Sequence, residues 1–330
     1  MAAPTVLPGA DEDLQQQLME GLEAVDRRLR EVVDHDDPFI AEAASHLSNA
    51  GGKRFRPLLT LLSAQVAGSM GEKVVEAAVG VELTHLASLY HDDVMDEAEL
   101  RRGVQSANMR YGNATSILVG DLLFGTASSV IADLGAEAVK IQAETFVRLC
   151  SGQIRDERPP AGGADPIEHY LSVLADKTGS LIATSARYGA MFGGGDAELV
   201  RTLTAFGEQL GTVFQLADDL LDISSDQDQS GKVPGADLRE GKATLPVLYA
   251  VSMATPQDAR LVDLVSGPIA DPDDVAEAVA LLRDHRAMQA ARDHTQHLAS
   301  STRSLVDDLG DSAAVDALRA LVDGVADRSR

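Results

Sequence analysis

Three groups of carboxylates share the spacing Asp-Asp-x-x-Asp: Asp92, Asp93 and Asp96; Asp218, Asp219 and Asp222; and Asp307, Asp308 and Asp311. With 34 aspartates in the chain, about a third of one such match is expected by chance, so context has to separate them. The third group contains Gly310 and has no basic cluster nearby, which makes it a surface helix end. The other two lie in THLASLYHDDVMD and GTVFQLADDLLDI, segments apolar almost all round, which predicts buried helices. Like charges placed there are costly unless cations neutralise them. On each helix the first and last Asp are four apart and share a face. Oxygen donors without imidazole or thiolate point to Mg²⁺, which keeps waters and takes further ligands from substrate phosphates. Two such clusters read as a clamp for a diphosphate.

The basic residues have the matching sign. Lys occurs only at 53, 73, 140, 177, 232 and 242, and four of these fall in or beside GGKRFRP, DKTGS, SGKVPG and EGKATLP. Such segments present compact, mobile ammonium groups to phosphate oxygens. Arg101-Arg102-Gly103 follows the first cluster closely and can supply bidentate forks to phosphate.

The elements that must position these groups read as helices. Apolar residues recur at helical spacing from Asp11 to about Ser48, with a break at Asp37-Pro38. The same spacing returns over 57–66, 72–98, 113–134, 136–156, 166–192, 197–223, 244–253, 273–300 and 313–327. The segments DERPPAGGADP (156–166) and SSDQDQSGKVPGADLREGKATLP (224–246) are loops, the second long enough to require a function. No repeat or composition shift marks a boundary. The expected fold is all-α, with residues 1–10 a flexible arm and 11–330 a single domain.

Composition narrows the function classes. A formal net charge of -24 repels a phosphate backbone, so nucleic acid is not an expected partner. One cysteine, Cys150, leaves no disulfide scaffold or thiolate zinc site. Aromatic residues are 4% with no Trp, too few for stacking platforms. No cationic start precedes an apolar run and no stretch approaches 18 uninterrupted apolar residues, so the expectation is a cytoplasmic protein without a membrane span.

In order along the chain, GGKRFRP (51–57), HDDVMDEAELRRG (91–103), GD (120–121), GQ (152–153), KTGSL (177–181), FQLADDLLD (214–222) and GKVPGADLREGKATLP (231–246) resemble the trans-polyprenyl diphosphate synthase family. The resemblance implies an isoprenoid-synthase-type helical bundle around a central apolar tunnel, usually as a homodimer. It implies that Lys53, Arg56, His85 and Arg102 hold isopentenyl diphosphate, and that Arg101, Lys177, Thr178, Gln215, Lys232 and Lys242 meet the allylic diphosphate. Asp92, Asp96 and Asp218 match Mg²⁺ ligands, supported by Asp93, Asp219 and Asp222, with three ions per site once substrate is bound. The implied reaction is ionisation of the allylic diphosphate, attack by isopentenyl diphosphate and loss of a proton. The 224–244 loop then reads as a lid that excludes water.

The first cluster has the two-residue gap found in the longer-chain synthases. Ala87 and Ser88, five and four residues before Asp92, stand where short-chain members carry a bulky aromatic floor. This predicts a long product, C30 to C50, for quinone side chains, with Phe146 a candidate for a deeper floor and transient membrane contact for product release. A farnesyl or geranylgeranyl diphosphate synthase and the catalytic half of a heteromeric enzyme are the alternatives. A terpene cyclase would carry an Asn/Ser/Glu ligand set in its second segment, and a regulatory subunit would lack intact Asp clusters.

Overall fold

The computed structural model describes residues 10–158, 160, 162–224 and 234–327. The expected N-terminal arm, apart from Ala10, lies outside these residues, as does Lys232 with 225–233 of the long loop. The helices are α1 (Glu12–Val32), α2 (Pro38–Asn49), α3 (Phe55–Ala67), α4 (Glu72–Met95), α5 (Ala107–Tyr111), α6 (Asn113–Ala132), α7 (Ala136–Asp156), α8 (Pro166–Leu174) and α9 (Ser180–Phe192). They continue as α10 (Ala197–Ser224), α11 (Ala236–Glu240), α12 (Leu245–Ser252), α13 (Ala259–Leu264), α14 (Pro272–Asp284), α15 (Arg286–Ser304) and α16 (Ala313–Ala326). Between α4 and α5 a hairpin pairs β1 (Leu100–Arg101) with β2 (Val104–Gln105). The chain is all-α apart from this hairpin, among the described residues.

Local chemistry sets many boundaries. Asp37-Pro38, Asp165-Pro166 and Asp271-Pro272 each start a helix, the Asp side chain accepting an early backbone N–H and Pro occupying the first helical position. The pattern over 273–300 breaks at His285, which is extended and whose Nδ1 accepts the Ala287 N–H at 3.1 Å to cap α15. The hairpin, absent from the periodicity, turns on Arg102 and Gly103, both at positive φ (55° and 78°) as a type I′ loop requires.

The backbone groups into two compact units. The first comprises Met1–Val147, Leu181–Gly207 and Val306–Ala320. Its core gathers Val25, Leu29, Leu47, Leu83, Leu86, Tyr90 and Leu123, and α4 and α6 pack at close range. A Cβ at Gly120 would lie 2.3 Å from the His91 ring, and one at Gly80 would lie 2.5 Å from Ile131. By length and composition α6 is apolar enough to cross a membrane, yet Val119, Leu123, Ala127 and Ile131 on it are buried in this unit.

The second unit comprises Arg148–Ser180, Glu208–Leu305 and Leu321–Arg330. Its core joins Leu174, Leu216, Leu220 and Ile223 to Leu245, Val247, Leu282 and Met288. The predicted helix over 166–192 is interrupted here by a π turn, Ala175–Gly179.

Candidate active site

In the first unit the GGKRFRP segment is shaped by its neighbours. Arg102 Nη1 donates to Leu47 O at 3.0 Å and to Gly51 O. Gly52 is at φ 148°, and a Cβ on it would sit 2.9 Å from the Arg102 guanidinium carbon, so the segment runs close against that side chain. Arg54, at φ 48°, donates from Nε to Asp26 and from Nη1 to Glu82, both at 2.8 Å, and from Nη2 to Ser48 O at 3.1 Å. Glu82 is 2% exposed, so this ion pair is largely desolvated. Arg56 Nε is buried without a hydrogen-bond partner, and burial pulls its guanidinium down to about 10. Lys53 is exposed. Burial, and then the charges of Arg56, Arg102, Arg101 and Arg54, hold His85 well below the usual imidazole range. His85 therefore stands neutral among Arg54, Arg56, Arg101 and Arg102, a cluster of positive charge of which Arg56 Nε has no hydrogen-bond partner.

The first Asp cluster closes α4. Asp93 is fully buried; its Oδ1 accepts from Arg101 Nε at 2.6 Å while its Oδ2 has no hydrogen-bond partner. Burial pushes the Asp93 carboxyl up, against the pull of Arg101. Asp92 is half-buried and Asp96 exposed. The third carboxylate group, Asp307, Asp308 and Asp311, is exposed, as expected of a surface helix end.

Lower on α4, Ala87 is fully buried and the Ser88 hydroxyl donates to His85 O at 2.8 Å. Gln142 on α7 donates to Thr84 at a short 2.5 Å, so Phe146, one turn further along α7, is level with Ser88. Its ring packs 4.3 Å from that of Phe124 on α6. Phe146 therefore belongs to the Ala87–Ser88 level and not to a floor several turns deeper.

The second unit holds a cavity of about 500 Å³ whose wall includes Lys177, Thr178, Gln215, Asp219 and Lys242, five of the residues singled out in the sequence. Lys177 Nζ donates to Asp156 at 2.7 Å. Thr178 Oγ1 lies 3.5 Å from Gln215 Oε1, and Gln215 Nε2 donates to Asp219 at 3.1 Å. Tyr170 donates to the other Asp219 oxygen. Asp219 is 2% exposed, and burial pushes its carboxyl up to about 7, aided by Asp237 and Asp218 and opposed by Tyr170 and Gln215. Asp218 is exposed. Asp222 accepts the N–H groups of Ala236 and Asp237 at 3.0 and 3.1 Å, capping α11 and tying together the two ends of the long loop. Lys242 pairs with Glu240 at 2.5 Å.

A model of the family described as polyprenyl synthetase matches residues 37–282. The chain belongs to the polyprenyl synthetase family. It is similar to nonaprenyl diphosphate synthase of Mycobacterium tuberculosis, 47% identical over 304 residues that cover 92% of this chain and 91% of the relative. To the dimethylallyltranstransferase of the same organism it is 39% identical, covering 92% and 93%. Geranylgeranyl pyrophosphate synthase from Corynebacterium glutamicum, solved with calcium and isoprenyl diphosphate, superposes with a TM-score of 0.86 at 40% identity, covering 97% of this chain and 98% of that one. This polyprenyl synthetase is thus a prenyltransferase with the all-α fold of its family.

Among the described residues no three His, Cys, Asp or Glu side chains converge closely enough to hold a metal by themselves. The carboxylates come instead as partial sets, with Asp92 half-buried and Asp96 and Asp218 exposed. That donor chemistry fits a hard ion completing its shell from water and phosphate better than a closed protein cage.

Sequence reasoning missed the residues that support these groups in the polyprenyl synthetase: Arg54 with Asp26 and Glu82, Tyr170, Asp156 and Asp237 around the cavity, and Asp176, which pairs with Arg148 and Arg155. Asp237 is driven up to about 6, first by burial and then by Asp222. Asp156 carried a usable signal, three residues after the GQ motif; Tyr170 and Asp26 carried none, because their partners are distant in sequence.

Proposed function

We propose that this chain is a Mg²⁺-dependent trans-polyprenyl diphosphate synthase, with residues 11–330 its catalytic domain. It condenses isopentenyl diphosphate with an allylic diphosphate to a long product, C30 to C50, for quinone side chains. The observation that carries this reading is the second-unit cavity, where Lys177, Thr178, Gln215 and Lys242 share one wall with buried Asp219. An anionic headgroup with divalent counter-ions satisfies both signs of charge there.

Lys177 and Lys242 stabilise charge on the departing allylic diphosphate, and Arg101 is assigned to the same substrate by its motif alone. Asp92, Asp96 and Asp218, supported by Asp93, Asp219 and Asp222, would hold Mg²⁺, which would supply positive charge to offset that of the diphosphate. Thr178 and Gln215, on the same cavity wall, contribute further contacts to the allylic diphosphate. Lys53, Arg56, Arg102 and neutral His85 orient isopentenyl diphosphate so that its double bond meets the allylic cation. Its proton leaves with the departed diphosphate, so no dedicated protein base is needed. The 224–244 loop, of which 225–233 lie outside the described residues, serves as the lid that shields the cation from water. The reading includes a cytoplasmic homodimer that touches a membrane transiently on product release; exposed Ile117, Leu118 and Leu122 on α6 support a face for a second copy.

The test uses the purified chain with Mg²⁺, labelled isopentenyl diphosphate and a set of allylic primers. Asp92→Ala and Asp218→Ala are each expected to remain folded and to lose activity by at least about 10²-fold, as removal of one transition-state charge partner does. Near-normal turnover in either variant would overturn the metal assignment.

A further inference from the structure

The π turn that carries Lys177 and Thr178 needs an explanation. Such turns admit an extra residue at the cost of poorer hydrogen-bond geometry, and they cluster at functional sites. They persist where surrounding contacts over-determine them. Here the contacts converge on Asp176, which opens the DKTGS segment but is given no part in the reaction.

Both Asp176 oxygens are engaged. Oδ1 accepts from Arg148 Nε and Oδ2 from Arg155 Nη1, each at 2.9 Å. The two arginines lie seven residues apart on α7, two turns along one face. Between them is Gly152, buried, where an added Cβ would lie 2.5 Å from the Lys177 backbone nitrogen and 2.9 Å from Asp176 C. α7 thus forms a bracket, with one guanidinium on either side of a glycine against which the π turn rests. Each arm is secured in turn, Arg148 to Glu208 on α10 and Arg155 to Ser172 on α8. Ser180 Oγ donates to Asp176 O at 2.6 Å and closes the far end of the turn.

Beyond the bracket, Lys177 reaches Asp156 and Thr178 approaches Gln215, which donates to Asp219. A regular α-helix turns 100° per residue, so straightening this turn would swing Lys177 and Thr178 out of their present directions. We propose that Asp176 is a positioning residue: clamped by Arg148 and Arg155 across Gly152, it fixes the π turn that aims Lys177 and Thr178 at the allylic diphosphate. This rests on the reading of the cavity as the allylic site.

The experiment measures kcat and KM for each substrate, together with Tm, in Asp176→Asn, Arg155→Lys and Lys177→Ala. Asp176→Asn keeps the size and removes the charge that both forks hold. It is expected to raise the allylic KM about tenfold and lower kcat by up to about 10²-fold, as a misplacement near 1 Å does. The isopentenyl diphosphate KM should stay within about twofold of wild type. Arg155→Lys, which keeps charge but loses the fork, should reproduce the split in milder form and decides the matter if Asp176→Asn does not fold. Wild-type kinetics in the folded variants, or equal changes in both KM values alongside a lowered Tm, would show a merely structural role and overturn the proposal. Lys177→Ala separates the two layers: a raised allylic KM there with none in the other two variants rejects the positioning role alone. An unmoved allylic KM in Lys177→Ala rejects the allylic-site reading itself, and the positioning role with it.

Discussion

At the scale of single residues, charge state is governed by who stands nearby. His85 is held well below its ordinary value of 6.5 by burial and by Arg56, Arg102, Arg101 and Arg54. Between that depressed value and 6.5 the folded protein binds fewer protons than the unfolded chain, so the contribution of His85 is complete above 6.5 and is lost as pH falls. Thermal unfolding from about pH 7.5 to about pH 5.5 should show a loss of up to about 1.4 kcal/mol per pH unit that His85→Gln lacks. Isopentenyl diphosphate should flatten the wild-type slope, because its anion offsets the arginines. A wild-type slope equal to that of His85→Gln would place the proton elsewhere. The two groups of basic residues also predict separable losses: Lys53→Ala should weaken isopentenyl diphosphate and Lys177→Ala the allylic partner, each by about tenfold in KM, which is the loss of about 1.4 kcal/mol. Substrate titrations showing the opposite pairing would exchange the two assignments.

At the scale of elements, glycines report where helices meet. A Cβ on Gly189 of α9 would lie 2.1 Å from Thr60 O and 2.7 Å from Ser63 Cβ on α3. Gly189→Ala should therefore cost about 2 to 3 kcal/mol in denaturant unfolding, because backbone cannot move aside as a side chain does. Gly125 on α6 has nothing within 4 Å, and Gly125→Ala should gain about 0.5 to 1 kcal/mol. Equal stabilities would mean that the α3–α9 contact is looser than drawn. Helices were legible in the sequence because burial writes a 3.6-residue period, and their starts because Asp-Pro is a local signal. The π turn was not: Ala175–Gly179 keeps the apolar rhythm of a helix, and what bends it is the Arg148–Gly152–Arg155 bracket on another element. The site divided in the same way. Lys177 and Asp219 stood in motifs, whereas Tyr170, and the role of Asp176 at the head of DKTGS, are recognised only through partners remote in sequence.

At the scale of the whole molecule, a chain of net charge -24 must attract anionic diphosphates, so its few lysines and clustered arginines have to act locally within a repelling field. On the proposed reading, the length of the product is limited along α4 on the N-terminal side of Asp92. His91 lies against Gly120 and Gly80 against Ile131, so α4 and α6 run antiparallel and Phe124 comes opposite Ala87. The Phe124–Phe146 pair already forms an aromatic wall at that level, leaving α4 as the side with small residues. One turn lower, Gln142 and Thr84 are joined by a hydrogen bond, and Gln142 Oε1 is buried without a partner. The fully buried position of Ala87 makes Ala87→Phe a two-sided test. If the growing chain passes between α4 and this wall, the new ring enters the tunnel, the fold tolerates it, and products shorten to about C15 to C20, one isoprene unit spanning about one 5.4 Å helical turn. If no chain passes there, the same ring overpacks the core, Tm falls by an amount matching about 1 to 3 kcal/mol, and the product ladder is unchanged. Phe146→Ala should act in the opposite sense and lengthen the products, since it removes the facing part of the same wall.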